Sequence, residues 1–312
     1  VKQPRIAIHG EPLPFLVDAI EGGGGVVVGK DERPDALALD HRNDFTQLPG
    51  LLRQNPQLSW VQLPYAGVDS YLGTMNEFPH VRFTSAKGAY SEPVAEHTLA
   101  LTLAVARHLK LRSLATSWGE ARGTSLAGLN AVVVGAGGLA LEIVRLLNAV
   151  RMNVTVVRRT AVPAEGAVAT VTSGRLDEVL PGADVVVLAA ALTPDTHHLI
   201  DAARLASMKA EAILVNVGRG PLLDTDALVA SLASGHLLGA AVDVTDPEPL
   251  PDGHPLWDEP RCLITPHTAD TREMIQPLLG ARLRRNVERF AAAELDPFAA
   301  GFEGVVDVTA GY

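Results

Sequence analysis

Three residues in the second half of the chain are of types that do chemistry, and each stands just past a short apolar run. Arg219 follows Ala212-Ile213-Leu214-Val215-Asn216-Val217, within Gly218-Arg219-Gly220. Glu248 comes shortly after Leu238-Gly239-Ala240-Ala241-Val242-Asp243, and His267 ends Thr265-Pro266-His267 after Cys262-Leu263-Ile264. A guanidinium pairs with a carboxylate, an imidazole exchanges protons near neutral pH, and a neighbouring carboxylate favours the charged ring. Taken singly, Arg219 also reads as a surface charge, Glu248 as a loop residue of Asp246-Pro247-Glu248-Pro249, and His267 as a cap before the last helix. Taken together on one edge of a single sheet, the three have little reason to be there other than chemistry.

Such an edge requires the runs to be neighbouring strands. Short apolar strands separated by helical stretches, among them Ala183-Asp184-Val185-Val186-Val187-Leu188-Ala189, indicate a parallel sheet covered on both faces. In sheets of this kind ligands meet the carboxyl ends of the strands. The clearest element is Ala131-Val132-Val133-Val134-Gly135-Ala136-Gly137-Gly138-Leu139-Ala140, which reads as strand, tight turn and helix, with helical spacing continued by Ile143, Leu146 and Leu147. Its turn spells G-x-G-x-x-A: Gly135 allows the bend, Gly137 lets backbone approach a pyrophosphate, and Ala140 keeps helix and strand close. Gly138 and Leu139 begin a helix whose free N–H groups and dipole favour phosphate.

A plain glycine turn would look similar, so the next strand carries weight. Asn153-Val154-Thr155-Val156-Val157 follows at βαβ distance, with Arg158, Arg159 and Thr160 at its tip. A carboxylate at this place accepts from a ribose 2′-OH, whereas arginine pairs with a 2′-phosphate. The reading is NADP(H) over NAD(H), with NAD still usable; the plainer alternative is two solvated arginines on a surface loop. Val217, at the end of its strand, joins the cofactor-binding set.

Composition bounds the rest. The chain has 312 residues, 47% hydrophobic, with a net charge of −10, enough for two domains with separate cores. The acidic balance argues against nonspecific binding to nucleic acid or an anionic membrane. No apolar run reaches the roughly 18 residues of a membrane span, and no charged-then-apolar leader opens the chain; the expectation is a cytoplasmic protein. The single cysteine, Cys262, allows no intrachain disulfide, argues against a thiolate metal site, and reads as a buried structural thiol. No metal site is expected.

Residues 1–92 carry short strands at Arg5-Ile6-Ala7-Ile8, Val26-Val27-Val28, Ala36-Leu37-Ala38-Leu39 and Trp60-Val61-Gln62-Leu63, with a helix including Phe15 to Ile20, and suggest a small α/β layer. Pro64-Tyr65-Ala66-Gly67-Val68-Asp69 is a turn directly after a strand, where backbone N–H groups can hold a carboxylate or merely lead into a helix. From Ser91 a helix runs through His108, with Val94, Leu99, Leu101, Leu103, Ala104 and Val105 on nearly every side, which predicts burial all round and a dimer interface. Glu96 and His97 are adjacent on that helix and point apart, so capping or core polar contacts are expected of them rather than acid–base work.

Across most of its length the chain resembles the D-isomer-specific 2-hydroxyacid dehydrogenases. The motifs that carry the resemblance are Leu63-Pro64-Tyr65-Ala66-Gly67-Val68-Asp69, Val94-Ala95-Glu96-His97, the glycine turn, Leu192-Thr193-Pro194-Asp195-Thr196, Asn216-Val217-Gly218-Arg219-Gly220, Asp243-Val244-Thr245-Asp246-Pro247-Glu248-Pro249-Leu250 and Thr265-Pro266-His267. The resemblance implies an α/β fold of two Rossmann-like domains. A dinucleotide-binding domain with a doubly wound parallel sheet, residues 93–272, is inserted into a smaller flavodoxin-like substrate domain made of residues 1–92 and 273–312. A long helix from Thr271 to Ala293 and the extended tail Gly304-Val305-Val306-Asp307-Val308 fit the return. The resemblance also implies that Arg219, Glu248 and His267 are catalytic, that Ala66, Gly67, Arg219 and His267 bind substrate, and that Asp243 contacts the nicotinamide end.

The implied reaction passes a hydride between NADP(H) and a small 2-oxo or 2-hydroxy acid. His267 gives a proton to the developing alkoxide, Glu248 keeps the imidazole charged, and Arg219 clamps the substrate carboxylate and polarises its carbonyl. Some residues depart from the family pattern. Ala140 replaces a glycine, Ala191 stands where a proline stiffens the loop, and Asp270 puts a carboxylate near His267. Trp257 reaches the substrate pocket or packs beneath it. Reduction of glyoxylate or hydroxypyruvate leads, in a homodimer expected from the helix that starts at Ser91. Phosphoglycerate oxidation is a rival, with only Leu39-Asp40-His41-Arg42-Asn43 as a cationic seat for the phosphate and no regulatory domain expected beyond Tyr312. A dinucleotide-sensing binding protein without turnover is the rival of another class, and formate or phosphite oxidation a weaker one.

Overall fold

The structure is a computed structural model, and it describes residues 2–40 and 44–311. His41, Arg42 and Asn43, the centre of the cationic seat considered above, lie outside the described residues. The chain divides into two compact units, one of Val1–Tyr90 with Thr271–Tyr312 and one of Ser91–Asp270. The first crossing falls where the helix Ser91–Ala106 opens, and the second just ahead of the helix Arg272–Ala292.

The first unit is built on β1 (Arg5–His9), β2 (Val26–Val28), β3 (Ala36–Leu39), β4 (Trp60–Gln62) and β5 (Arg82–Thr84). They form a parallel sheet in the order β2-β1-β3-β4-β5, the flavodoxin-like order. Alternate residues feed opposite faces. Ile6, Ile8, Ala36, Ala38 and Trp60 pack with Leu283, Val287 and Phe290 of the returning helix. Ala7, Leu37, Leu39 and Val61 pack on the other side with Leu48, Leu52 and Met75. Trp60 anchors the return, with its ring 4.5 Å from Phe302 in a stacked pair and 5.3 Å from Phe290 edge-on. The tail joins by a single antiparallel bridge, Thr84 to Val305, rather than as a full strand.

The second unit holds β6 (Asn130–Val134), β7 (Asn153–Arg158), β8 (Ala169–Thr172), β9 (Val185–Leu188), β10 (Ile213–Asn216), β11 (Gly239–Val242) and β12 (Cys262–Ile264). All are parallel, in the order β12-β11-β10-β9-β6-β7-β8. That is the doubly wound order, whose direction of growth reverses between β6 and β9 and opens a crevice there. β8 and β5 have no counterpart in the sequence reading, because Ala169-Thr170-Val171-Thr172 and Arg82-Phe83-Thr84 are edge strands too short and too polar to show a period.

The helix Ser91–Ala106 corrects one expectation. It buries Val94, Ala95, Thr98, Leu101, Thr102, Val105 and Ala106 along one face, while Leu103 is 37% exposed and Glu96 and Ala100 face out. Small alanines and threonines, not only large apolar residues, make the buried stripe, so hydrophobicity alone overstated how much of its circumference is covered. Among the described residues, no helix is long and apolar enough to cross a membrane.

Candidate active site

The glycine turn sits at the reversal point of the larger sheet. Gly135 has φ +123°, its N–H donates to Val157 O at 2.8 Å, and a Cβ built on it would lie 2.5 Å from Ala189 O. Only glycine admits both that backbone angle and the approach of the chain leaving β9. At Gly137 the reverse holds: its φ of −78° is ordinary, and a Cβ there would meet nothing within 4 Å. The open side of Gly137, with Gly138 and Leu139 at the start of the helix Gly138–Ala149, has room for a phosphate against free helix N–H groups. Ala140 is fully buried against the strand.

The bond from Gly135 to Val157 brings the tip of β7 beside the turn. Arg158 is half-buried there, with Nη1 donating to Val162 O at 3.1 Å, while Arg159 and Thr160 are exposed. Val217 is 7% exposed and donates its N–H to Leu188 O. Ala191, in place of a proline, does not leave its loop slack, because the Thr196 hydroxyl donates to Ala191 O at 2.8 Å and accepts from Thr193 N at 2.7 Å.

The register of β10, β11 and β12 sets Asn216 beside Val242 and Val242 beside Ile264, so the residues beyond them share one rim. Asn216 shapes the Arg219 turn: its side chain accepts from Gly218 N at 3.1 Å and donates to Arg219 O at 2.9 Å. Arg219 is half-buried and donates from Nη1 to Gly218 O at 2.8 Å. A Cβ on Gly220 would lie 1.8 Å from Thr245 O, so the Arg219 turn presses directly on the loop that carries Glu248. On that loop Glu248 Oε1 stands 2.7 Å from His267 Nδ1, and both side chains are partly exposed, at 42% and 46%.

His267 has φ +50°, a left-handed backbone that a non-glycine residue keeps only when its surroundings impose it. Asp243 imposes it. The backbone carbonyl of Asp243 accepts from His267 N at 2.8 Å, its Oδ1 accepts from Thr265 Oγ1 at 2.6 Å and Thr268 N at 2.9 Å, and its Oδ2 accepts from Ala269 N at 3.2 Å. At 3% exposure this carboxylate is turned into the protein. Burial alone would push its pKa up, but the bonds from His97, Thr265 and the Thr268 and Ala269 amides outweigh burial and hold it below the ordinary carboxylate range.

His97 extends the network. Its Nε2 lies 3.0 Å from Thr265 Oγ1 and 3.4 Å from Asp243 Oδ1, so the polar core contact expected of it reaches the loop of His267. Glu96 is exposed. Thr265 had no signal in the sequence beyond its place at a strand end. Asp270 is half-buried, and burial raises its pKa against the pull of His267.

Ala66 and Gly67 belong to the other unit, in the turn after β4, where Ala86 N donates to Tyr65 O at 2.9 Å. Trp257 is 42% exposed and donates from Nε1 to Pro251 O at 2.9 Å. Cys262 is fully buried, and burial pushes its thiol up to about 12, the state of an inert thiol.

Comparison with known proteins agrees with this geometry. Residues 99–269 match the family described as D-isomer specific 2-hydroxyacid dehydrogenase, NAD binding domain. A putative 2-hydroxyacid dehydrogenase of Haemophilus influenzae is 33% identical over 77% of this chain and 79% of its own. The structure of a D-isomer specific 2-hydroxyacid dehydrogenase from Xanthobacter autotrophicus, in complex with NADPH and MES, superposes with a TM-score of 0.84 at 26% identity, covering all of both chains. An NADPH-dependent glyoxylate/hydroxypyruvate reductase from Sinorhizobium meliloti, in complex with NADP and sulfate, gives a TM-score of 0.82 at 26% identity over 99% of this chain and 100% of its own. The nucleotide crevice, the rim of strand-end residues and these likenesses together mean that the chain belongs to the D-isomer-specific 2-hydroxyacid dehydrogenases, NAD(P)-dependent oxidoreductases acting on CH–OH donors.

Proposed function

We propose that this chain is an NADPH-preferring reductase of small 2-oxo acids, with glyoxylate and hydroxypyruvate as its leading substrates. The observation that carries the reading is the 2.7 Å contact of Glu248 with His267 on a rim shared with Arg219. In this reading Ser91–Asp270 is the dinucleotide-binding domain, and Val1–Tyr90 with Thr271–Tyr312 is the substrate domain.

The bound nicotinamide cofactor supplies the hydride. His267, held by Glu248 at Nδ1, delivers the proton on Nε2 to the oxygen of the carbonyl being reduced. Arg219 pairs with the substrate carboxylate and draws electron density toward the carbonyl oxygen. Asp243 acts from behind by fixing the backbone of Thr268, Ala269 and His267. Oxidation of the 2-hydroxy acid runs the same steps backward, with His267 as the base.

The NADPH preference rests on Arg158 and Arg159 at the end of β7, with Thr160 beside them, where the phosphate on a ribose 2′ oxygen would meet two guanidinium groups. The two superposed structures named above contain NADPH or NADP, and one carries glyoxylate/hydroxypyruvate reductase in its name. We read the working form as a homodimer, since Leu109, Leu111, Leu114 and Trp118 leave apolar side chains in solvent, Trp118 at 99% exposure. The buried reduced cysteine suits the cytoplasm.

The test follows the absorbance of the reduced nicotinamide with NADPH and NADH in parallel, against glyoxylate, hydroxypyruvate, pyruvate and phenylpyruvate. Oxidation of NADPH with glyoxylate or hydroxypyruvate at higher kcat/KM than with NADH is the expected result. Tight cofactor binding with no turnover on any acid would replace the enzyme reading by that of a nucleotide sensor. Sedimentation equilibrium returning the mass of a single chain would remove the dimer.

A further inference from the structure

We propose a metal-binding site, beside the catalytic rim and using none of its three residues Arg219, Glu248 and His267, formed by His197, His198 and Asp246 and suited to Zn2+. One ligand atom from each of these three residues lies within 4.8 Å of the others. Two imidazoles and a carboxylate are the donor set of borderline divalent metals rather than of Mg2+ or Ca2+, which take oxygen ligands.

The three residues come from two loops. His197 and His198 close the turn that begins at Thr193, and Asp246 lies on the loop beyond β11. The two rings stack with centroids 4.1 Å apart and planes at 25°, so one ring must swing out of the stack for the in-plane lone pairs of both to meet one ion. The backbone beneath is fixed: His198 has φ +46° and its N–H donates to Pro221 O at 2.7 Å. Asp246 is fixed too, because its carbonyl accepts from Thr225 Oγ1 at 2.7 Å.

A tetrahedral zinc with bonds near 2.0–2.1 Å needs ligand atoms about 3.3 Å apart. Contraction by roughly 1.5 Å at most closes the set, within reach of side-chain rotation where His197 is exposed and His198 and Asp246 are half-buried. Water fills the remaining positions.

A fourth residue supports the set from behind. Asp224 Oδ2 lies 4.0 Å from His198 Nδ1. A carboxylate on the far nitrogen of a ligating imidazole fixes its tautomer and raises its basicity. A plain surface cluster explains an isolated His–Asp contact; here two imidazoles and a carboxylate from two loops bring ligand atoms within 4.8 Å of one another.

The proposal does not depend on the substrate reading. Its test is equilibrium dialysis and titration calorimetry of the whole chain with ZnSO4 at pH 7.5, on wild type and on His197→Ala, His198→Ala, Asp246→Asn and Asp224→Asn. One equivalent bound with micromolar affinity is expected, weakened more than tenfold in each of the first three variants. Asp224→Asn keeps an N-cap for the helix Thr225–Ala233 while losing the charge behind His198, and should weaken binding by about tenfold. Wild type should also gain about 5 °C in Tm at saturating zinc, a gain absent from His198→Ala. His267→Ala, measured alongside, should bind zinc as wild type does. No binding below 100 µM, or equal binding by wild type and all three ligand variants, would overturn the site, as would loss of binding in His267→Ala alone.

Discussion

Glu248 and His267 are 19 residues apart in sequence, yet Glu248 Oε1 stands 2.7 Å from His267 Nδ1 at the rim of the larger sheet. The pair exists because β11 and β12 run side by side and both following loops turn back toward the same crevice. The contact leaves Nε2 as the imidazole atom able to serve a substrate. Replacing His267 by Ala should lower kcat by on the order of 10²–10⁴ with cofactor affinity kept within a factor of about two. Stopped-flow turnover and fluorescence titration of NADPH measure the two separately, and near-native turnover would dismiss His267 as proton donor.

Gly135 and Gly137 separate fold from ligand. A methyl on Gly135 meets Ala189 O and must sit at φ +123°, so Gly135→Ala should lose about 3 kcal/mol or more of stability. A methyl on Gly137 meets nothing in the protein. Gly137→Ala should therefore leave Tm within about 3 °C of wild type while weakening NADPH binding at least tenfold, as thermal melts and calorimetry would show. Unchanged affinity would remove the phosphate from this turn.

Cofactor choice can be turned at the tip of β7. Arg158→Asp replaces a phosphate partner by a ribose acceptor, and the ratio of kcat/KM for NADPH over NADH should fall by roughly 10–100-fold, the worth of one or more charge-assisted bonds. An unchanged ratio would make Arg158 a surface residue held by Val162 O.

Asp243 links the site to acid stability. Its folded pKa is held below the usual value by its four donors, so the stability it contributes is complete above the unfolded carboxylate pKa of about 3.9 and is lost as pH falls through the folded value. Asp243→Asn should melt several degrees lower than wild type at pH 7, and the gap should close in strong acid. A constant gap across pH would assign the loss to packing and not to charge.

Asp270 has the opposite sign. Burial raises its folded pKa, so its contribution is favourable below the unfolded value and is lost as pH rises through the folded one. Asp270→Asn should raise Tm by about 2–4 °C at pH 7, with the difference shrinking below pH ~4. A lower Tm at pH 7 would show that attraction to His267 and Arg219 outweighs the burial cost.

Much of this protein was legible one segment at a time. Short continuous apolar runs such as Val132–Val134 and Leu214–Val215, stopped by glycine or a polar residue, marked the strands, and the spacing of Gly135, Gly137 and Ala140 marked the glycine turn between strand and helix. The order of Arg219, Glu248 and His267 after three such runs pointed to one shared rim, because a parallel sheet delivers its strand ends to one side. These are properties of local backbone geometry, which neighbouring residues impose. The tertiary structure alone decided what lies between segments. His97 reaches Thr265 across 168 residues and the two meet Asp243, whose carboxylate turns inward to organise the loop of His267. The buried face of the helix Ser91–Ala106 and the meeting of His197 and His198 with Asp246 were settled in the same way. No periodicity encodes such contacts, since they depend on which strands become neighbours and on how far each loop folds back over the sheet.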